Sequence, residues 1–116
     1  MQKTFNLCLT TKTEVHSALV ETFVHFKEAK MDEEAEETRK LTERFCQQMH
    51  KKDIVLDISF SIHMNNILYK ELKKKRNRFF SKAAKTDNLE LKESFFKITM
   101  ELDSIISSLQ LCRDIA

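Results

Sequence analysis

Neither a glycine nor a proline occurs anywhere in the 116 residues. At ordinary usage of about 7% and about 5%, roughly fourteen of the two together would be expected. Glycine supplies the φ > 0 conformations of tight hairpin turns, and proline supplies pre-set turn and edge geometry. An all-β or doubly wound fold is hard to build without both, whereas helices joined by short polar connections need neither. The same absence removes P-loops, dinucleotide-binding turns and nucleophile elbows, each of which puts a glycine where the backbone turns sharply or approaches a ligand closely. The expected fold class is therefore all-α, and nothing in the chain spells out a reaction.

Hydrophobic residues make up 41% of the chain and include nine phenylalanines. That is enough for one core, so residues 1–116 are read as a single helical domain. The net charge of +2 is small, but its distribution is uneven. Acidic residues outnumber basic ones six to three over 31–50, and basic outnumber acidic eight to three over 51–80. Cys8, Cys46 and Cys112 are odd in number and widely spaced, unlike the disulfide framework of a small secreted domain. No apolar run approaches the ~20 residues that span a bilayer, and the first residues lack a leader pattern. A cytoplasmic or nuclear location is expected.

Periodicity divides the chain into four helices at about 11–29, 32–51, 53–80 and 88–113, packed as a bundle in coiled-coil-like fashion. The last is the clearest. Asp87 and Glu90 resemble a capping box, and Leu91, Phe95, Ile98, Leu102, Ile105, Leu109 and Cys112 follow at alternating spacings of four and three. Phe96, Met100 and Ile106 widen that seam into a bundle face. The first helix has a capping-box pattern at Thr11 and Glu14, with Val15, Leu19, Phe23 and Phe26 on one face. Residues before Thr11 either extend this helix or pack separately. The second opens at Asp32 with Glu33 and Glu34 in its first turn, where the helix dipole favours them.

The third segment carries two readings. Ile54, Leu56, Ile58, Phe60, Ile62 and Met64 alternate with Val55, Asp57, Ser59, Ser61 and His63 as a half-buried strand would. A strand needs a partner, and the only similar stretch is the short alternation of Phe5, Leu7 and Leu9. Two strands without a turn-forming residue make a poor sheet, so helix is preferred over 53–80. Asn65, which interrupts its apolar stripe, is read as facing solvent rather than fixing register.

Several residue groups have the composition of carriers of chemistry. The run Lys73, Lys74, Lys75, Arg76 and Arg78 has the density of a phosphate-binding or nuclear-targeting patch, with Phe79 and Phe80 beside it for stacking. A solvated helix face accounts for it more simply. The cluster Asp32, Glu33, Glu34, Glu36 and Glu37 suits a helix amino terminus better than a metal. Cys46 and His50 are four apart, but no second ligand pair completes a zinc site. His16, His25, His50 and His63 stand beside no recognisable nucleophile motif. No metal, cofactor or catalytic residue is expected.

These features point to a non-enzymatic protein–protein interaction module, or a small helical subunit or adaptor of a larger assembly. It would bind a protein partner or its own copies through an apolar helix face. Val55, Ile58, Ile62, Tyr69, Leu72 and Phe79 are the expected partner-binding residues. The alternative is a nucleic-acid-binding helical domain that uses Lys73 to Arg78.

Overall fold

A computed structural model of the chain describes residues 2–58 and 61–115, with side chains as far as residue 110. Six elements follow in order: β1 (Gln2–Asn6), α1 (Leu9–Glu28), α2 (Asp32–Gln47), β2 (Asp53–Asp57), α3 (Ile62–Lys85) and α4 (Leu89–Ile115). The four helices pack on one another, with α1 against α2 and α3 against α4 as the two dominant pairs. The expected helical bundle is present. Among the described residues no helix is long and apolar enough to cross a membrane.

The helix boundaries have local causes. α1 begins at Leu9, two residues before Thr11, and Thr11 is buried in its first turn rather than capping it. Without a glycine, α1 ends on Lys30 at φ 59°. There Lys30 N–H donates to the Lys27 carbonyl at 3.1 Å and Met31 N–H donates to the Phe26 carbonyl at 2.9 Å, the paired closure of a Schellman turn. α2 starts at Asp32 as expected but stops at Gln47, because residues 48–52 turn back toward the sheet. α4 takes Asn88 rather than Asp87 as its cap, Asn88 Oδ1 accepting from Leu91 N–H at 3.1 Å.

The helix expected over 53–80 is corrected. Residues 53–57 form a strand, and α3 starts only at Ile62, capped by the Ser61 hydroxyl, which accepts from Met64 N–H at 3.2 Å. β2 pairs antiparallel with β1, Phe5 opposite Ile54 and Lys3 opposite Leu56. The missing turn residues do not forbid this sheet, because the helical hairpin α1–α2 joins its strands and no tight turn is required. As a strand the segment puts Ile54, Leu56 and Ile58 together in the core with Phe5 and Leu7. As a helix it would have spread them around the axis. Ser59 and Phe60, part of the same alternation, lie outside the described residues.

One core serves all the elements. Phe26 and Leu19 of α1, Phe45 of α2, Leu72 of α3 and Leu102 and Ile105 of α4 are almost completely buried with the sheet residues. Ile98 and Leu109 of the α4 seam are buried as well, while Leu91 at its start is exposed. The Cys112 side chain lies outside the described residues.

Candidate interaction surface

The two edges of the sheet differ. Leu7 N–H donates to the Lys52 carbonyl at 3.4 Å. Bonded and non-bonded pairs alternate along an antiparallel ladder, so Lys3, Phe5 and Leu7 turn their backbone groups toward β2. Gln2, Thr4 and Asn6 turn theirs away. Val55, opposite Thr4, likewise points its backbone outward at the other edge, where it meets Gln48. Gln48 Nε2 donates to the Val55 carbonyl at 2.9 Å, and Val55 N–H donates to Gln48 Oε1 at 2.8 Å. A side-chain amide thus stands where a third strand would pair, and the β2 edge is blocked at its middle residue.

The β1 edge is open over most of its length. Cys8 N–H, next in the outward-pointing set, donates to Glu101 Oε1 of α4 at 2.6 Å. The backbone groups of Thr4 and Asn6 have no partner among the described residues. Beside them runs a groove of about 540 Å³, lined by Thr4–Leu7 on one side and by Glu93, Phe96, Lys97, Met100, Glu101 and Ser104 on the other. Phe96 is exposed and Met100 is 71% exposed. Unpaired strand amides beside exposed apolar side chains are what strand-addition sites offer a ligand. Glu101 Oε2, buried at the end of this groove, has no hydrogen-bond partner.

The six residues expected to form a binding face do not share one surface. Val55 lies on the outer side of the sheet and Ile62 in the first turn of α3, both exposed. Tyr69 is half-buried, and Ile58, Leu72 and Phe79 belong to the core. Strand formation is the cause, since it removes Val55 and Ile58 from the helical spacing that linked them to the rest.

The basic run is divided by its position on α3. Lys75 is buried, and its Nζ donates to Ser17 Oγ and Glu21 Oε1 of α1. Arg78 donates to Glu14 of α1 at 2.7 Å, and Arg76 donates to Asp103 of α4 at 2.9 Å. The Arg76 guanidinium also covers the Phe80 ring, 4.9 Å from its centroid. Lys74 pairs with Glu71 on its own helix, and Lys73 lies over the Tyr69 ring. Three of the five cations therefore tie helices together. Phe79 is in the core, so only Phe80 of the two rings is exposed.

In the acidic cluster, Glu36 forms a two-point pair with Arg39, whose hydrogen bonds hold the carboxyl below its usual range. Glu37 accepts from Ser61 N–H at 3.3 Å, joining α2 to the start of α3. Cys46 is a free, exposed thiol, and His50 falls beyond the end of α2, so the two do not share a helix face. Among the described residues no three His, Cys, Asp or Glu side chains gather as metal ligands.

Three working residues escaped the sequence reading. Lys12, buried in α1, donates from Nζ to the carbonyls of Met49 and Lys51 and anchors the turn after α2. Asn65, read as facing solvent, is buried instead, and its Nδ2 donates to the Leu109 carbonyl at 3.1 Å. Gln48 had no mark beyond its place four residues after Arg44. Only Asn65 left a signal, as a polar residue within an apolar stripe.

Compared with protein-family models, with curated proteins and with solved structures, the chain matches none.

Proposed function

We propose that the chain is a non-enzymatic protein-interaction module, a small helical subunit or adaptor whose docking surface is the groove between β1 and α4. The observation that supports this reading is the asymmetry of the sheet. One edge is blocked at its middle residue, Val55, by Gln48. The other presents the backbone of Thr4 and Asn6 beside Phe96 and Met100. Exposed strand edges are usually shortened, charged or covered in proteins that have no use for them. A bound extended segment would supply backbone partners to Thr4 and Asn6 and apolar side chains to the α4 wall. A nucleic-acid interface at Lys73 to Arg78 has less support, because Lys75, Arg76 and Arg78 already serve α1 and α4.

Panning a library of unstructured peptides against the wild-type chain tests the groove. Thr4→Pro removes an outward-pointing N–H without touching the bonds to β2. Selected peptides are expected to lose about tenfold in affinity for this variant, the effect of roughly 1.4 kcal/mol. A chain that is monomeric at the panning concentration and selects no ligand, or only ligands indifferent to the substitution, would sink the reading.

A further inference from the structure

Resting on that reading, we infer that the occupant of the groove is a second copy of the chain, with two β1 strands pairing antiparallel about Thr4. The two-stranded sheets would join into one of four strands, in the order β2, β1, β1 and β2.

The pattern of β1 suits such self-pairing. Its outward backbone groups belong to Gln2, Thr4 and Asn6, a set symmetric about Thr4. A twofold axis there sets Thr4 opposite Thr4 and Gln2 opposite Asn6, all uncharged, so no like charges meet across the new ladder. Lys3 is on the helix-facing side of β1, with Phe5 and Leu7. The axis carries it toward the second copy's α4, whose rim holds Glu93.

The same axis stands normal to the sheet and keeps both helical layers on one side. Each α4 then lies beside the other, and Phe96 and Met100, exposed in the single chain, are covered together with the strand edge. One operation thus satisfies two kinds of unpartnered surface.

Gln48 decides how far the assembly grows. Because it occupies the middle of the β2 edge at Val55, a fifth strand would have to displace it to pair there. The interface is isologous and closes at two chains, where an unobstructed β2 edge would permit dimers to add edge to edge into fibres.

Light scattering coupled to size-exclusion chromatography, over a concentration series, is the test. The wild-type chain is expected at twice its 13.7 kDa mass. Thr4→Pro and Met100→Lys are each expected to raise the dissociation constant at least about tenfold with unchanged far-ultraviolet circular dichroism. Met100 is too exposed for its replacement to disturb folding, so that variant decides the matter if Thr4→Pro fails to fold. A monomer at the highest soluble concentration overturns the second copy as occupant; if that monomer still selects peptides sensitive to Thr4→Pro, the interaction-module reading survives. A dimer indifferent to both substitutions overturns the inference by placing the interface elsewhere.

Discussion

At the turn between α1 and α2, Lys30 takes the left-handed conformation that helix ends usually assign to glycine. A side chain with a Cβ is strained there by about 1 kcal/mol, and the turn persists because its two closing hydrogen bonds and the half-buried Met31 over-determine it. Lys30→Gly is therefore expected to stabilise the chain by roughly 0.5–1 kcal/mol, read as a higher urea midpoint at unchanged slope. A second residue-scale effect belongs to Glu21 and Glu71, which face each other between α1 and α3. The hydrogen bond with Glu21, then burial, raises the Glu71 pKa above its ordinary 4.5. The same bond is the largest influence lowering that of Glu21. Above the ordinary value the folded chain holds the Glu71 proton longer than the unfolded chain, so that contribution to stability is lost as pH rises through the raised pKa. The Glu21 contribution is lost in the opposite direction, as pH falls through its lowered pKa. Glu71→Gln still donates to Glu21 but cannot ionise. Its melting temperature relative to wild type is expected to climb between the ordinary carboxylate range and neutral pH. A difference flat across that range would contradict the shared proton.

Among the elements, β2 shows how a sound sequence pattern can be assigned to the wrong structure. The alternation of Ile54, Leu56 and Ile58 was legible, and so was that of Phe5 and Leu7. A chain without glycine lacks the tight turn of a hairpin, and by that criterion alone the two strands have no connection. Placing the α1–α2 hairpin between the strands removes that requirement, and local sequence carries no sign of a pairing between segments 47 residues apart. The helices fared better because their apolar spacing is a local property. The α4 seam predicted the burial of Ile98, Leu102, Ile105 and Leu109, and α2 began where its acidic turn placed it. The site was less legible, since an edge exists only once a sheet does. Gln48 acts as part of this element through its two bonds to Val55. Gln48→Ala leaves those backbone groups to water, so the Val55 amide is expected to exchange with deuterium at least about tenfold faster, from loss of roughly 1.4 kcal/mol of local protection. Native-state hydrogen exchange checks this, with the Ile54 amide, bonded toward β1, as the internal control.

For the molecule as a whole, charge that looked like a binding patch in the sequence works largely as internal fastening. Lys75 and Arg78 reach α1, and Arg76 reaches α4, so α3 is tied on two sides. Composition and periodicity revealed the number of helices but not which cations would find carboxylates from other elements, because those meetings depend on the tertiary arrangement. The strand pairing also has a consequence in time. During synthesis Asn6 must wait for Asp53, 47 residues later. At synthesis rates of about 5–20 residues per second the delay is roughly 2–10 s. The α1–α2 hairpin can form within that interval from neighbouring residues alone. Throughout it Phe5 and Leu7 lack their strand partner, and α4 follows later still. The nascent chain thus carries a sticky unpartnered segment throughout that interval, and it is during this window that a chaperone would have most to protect.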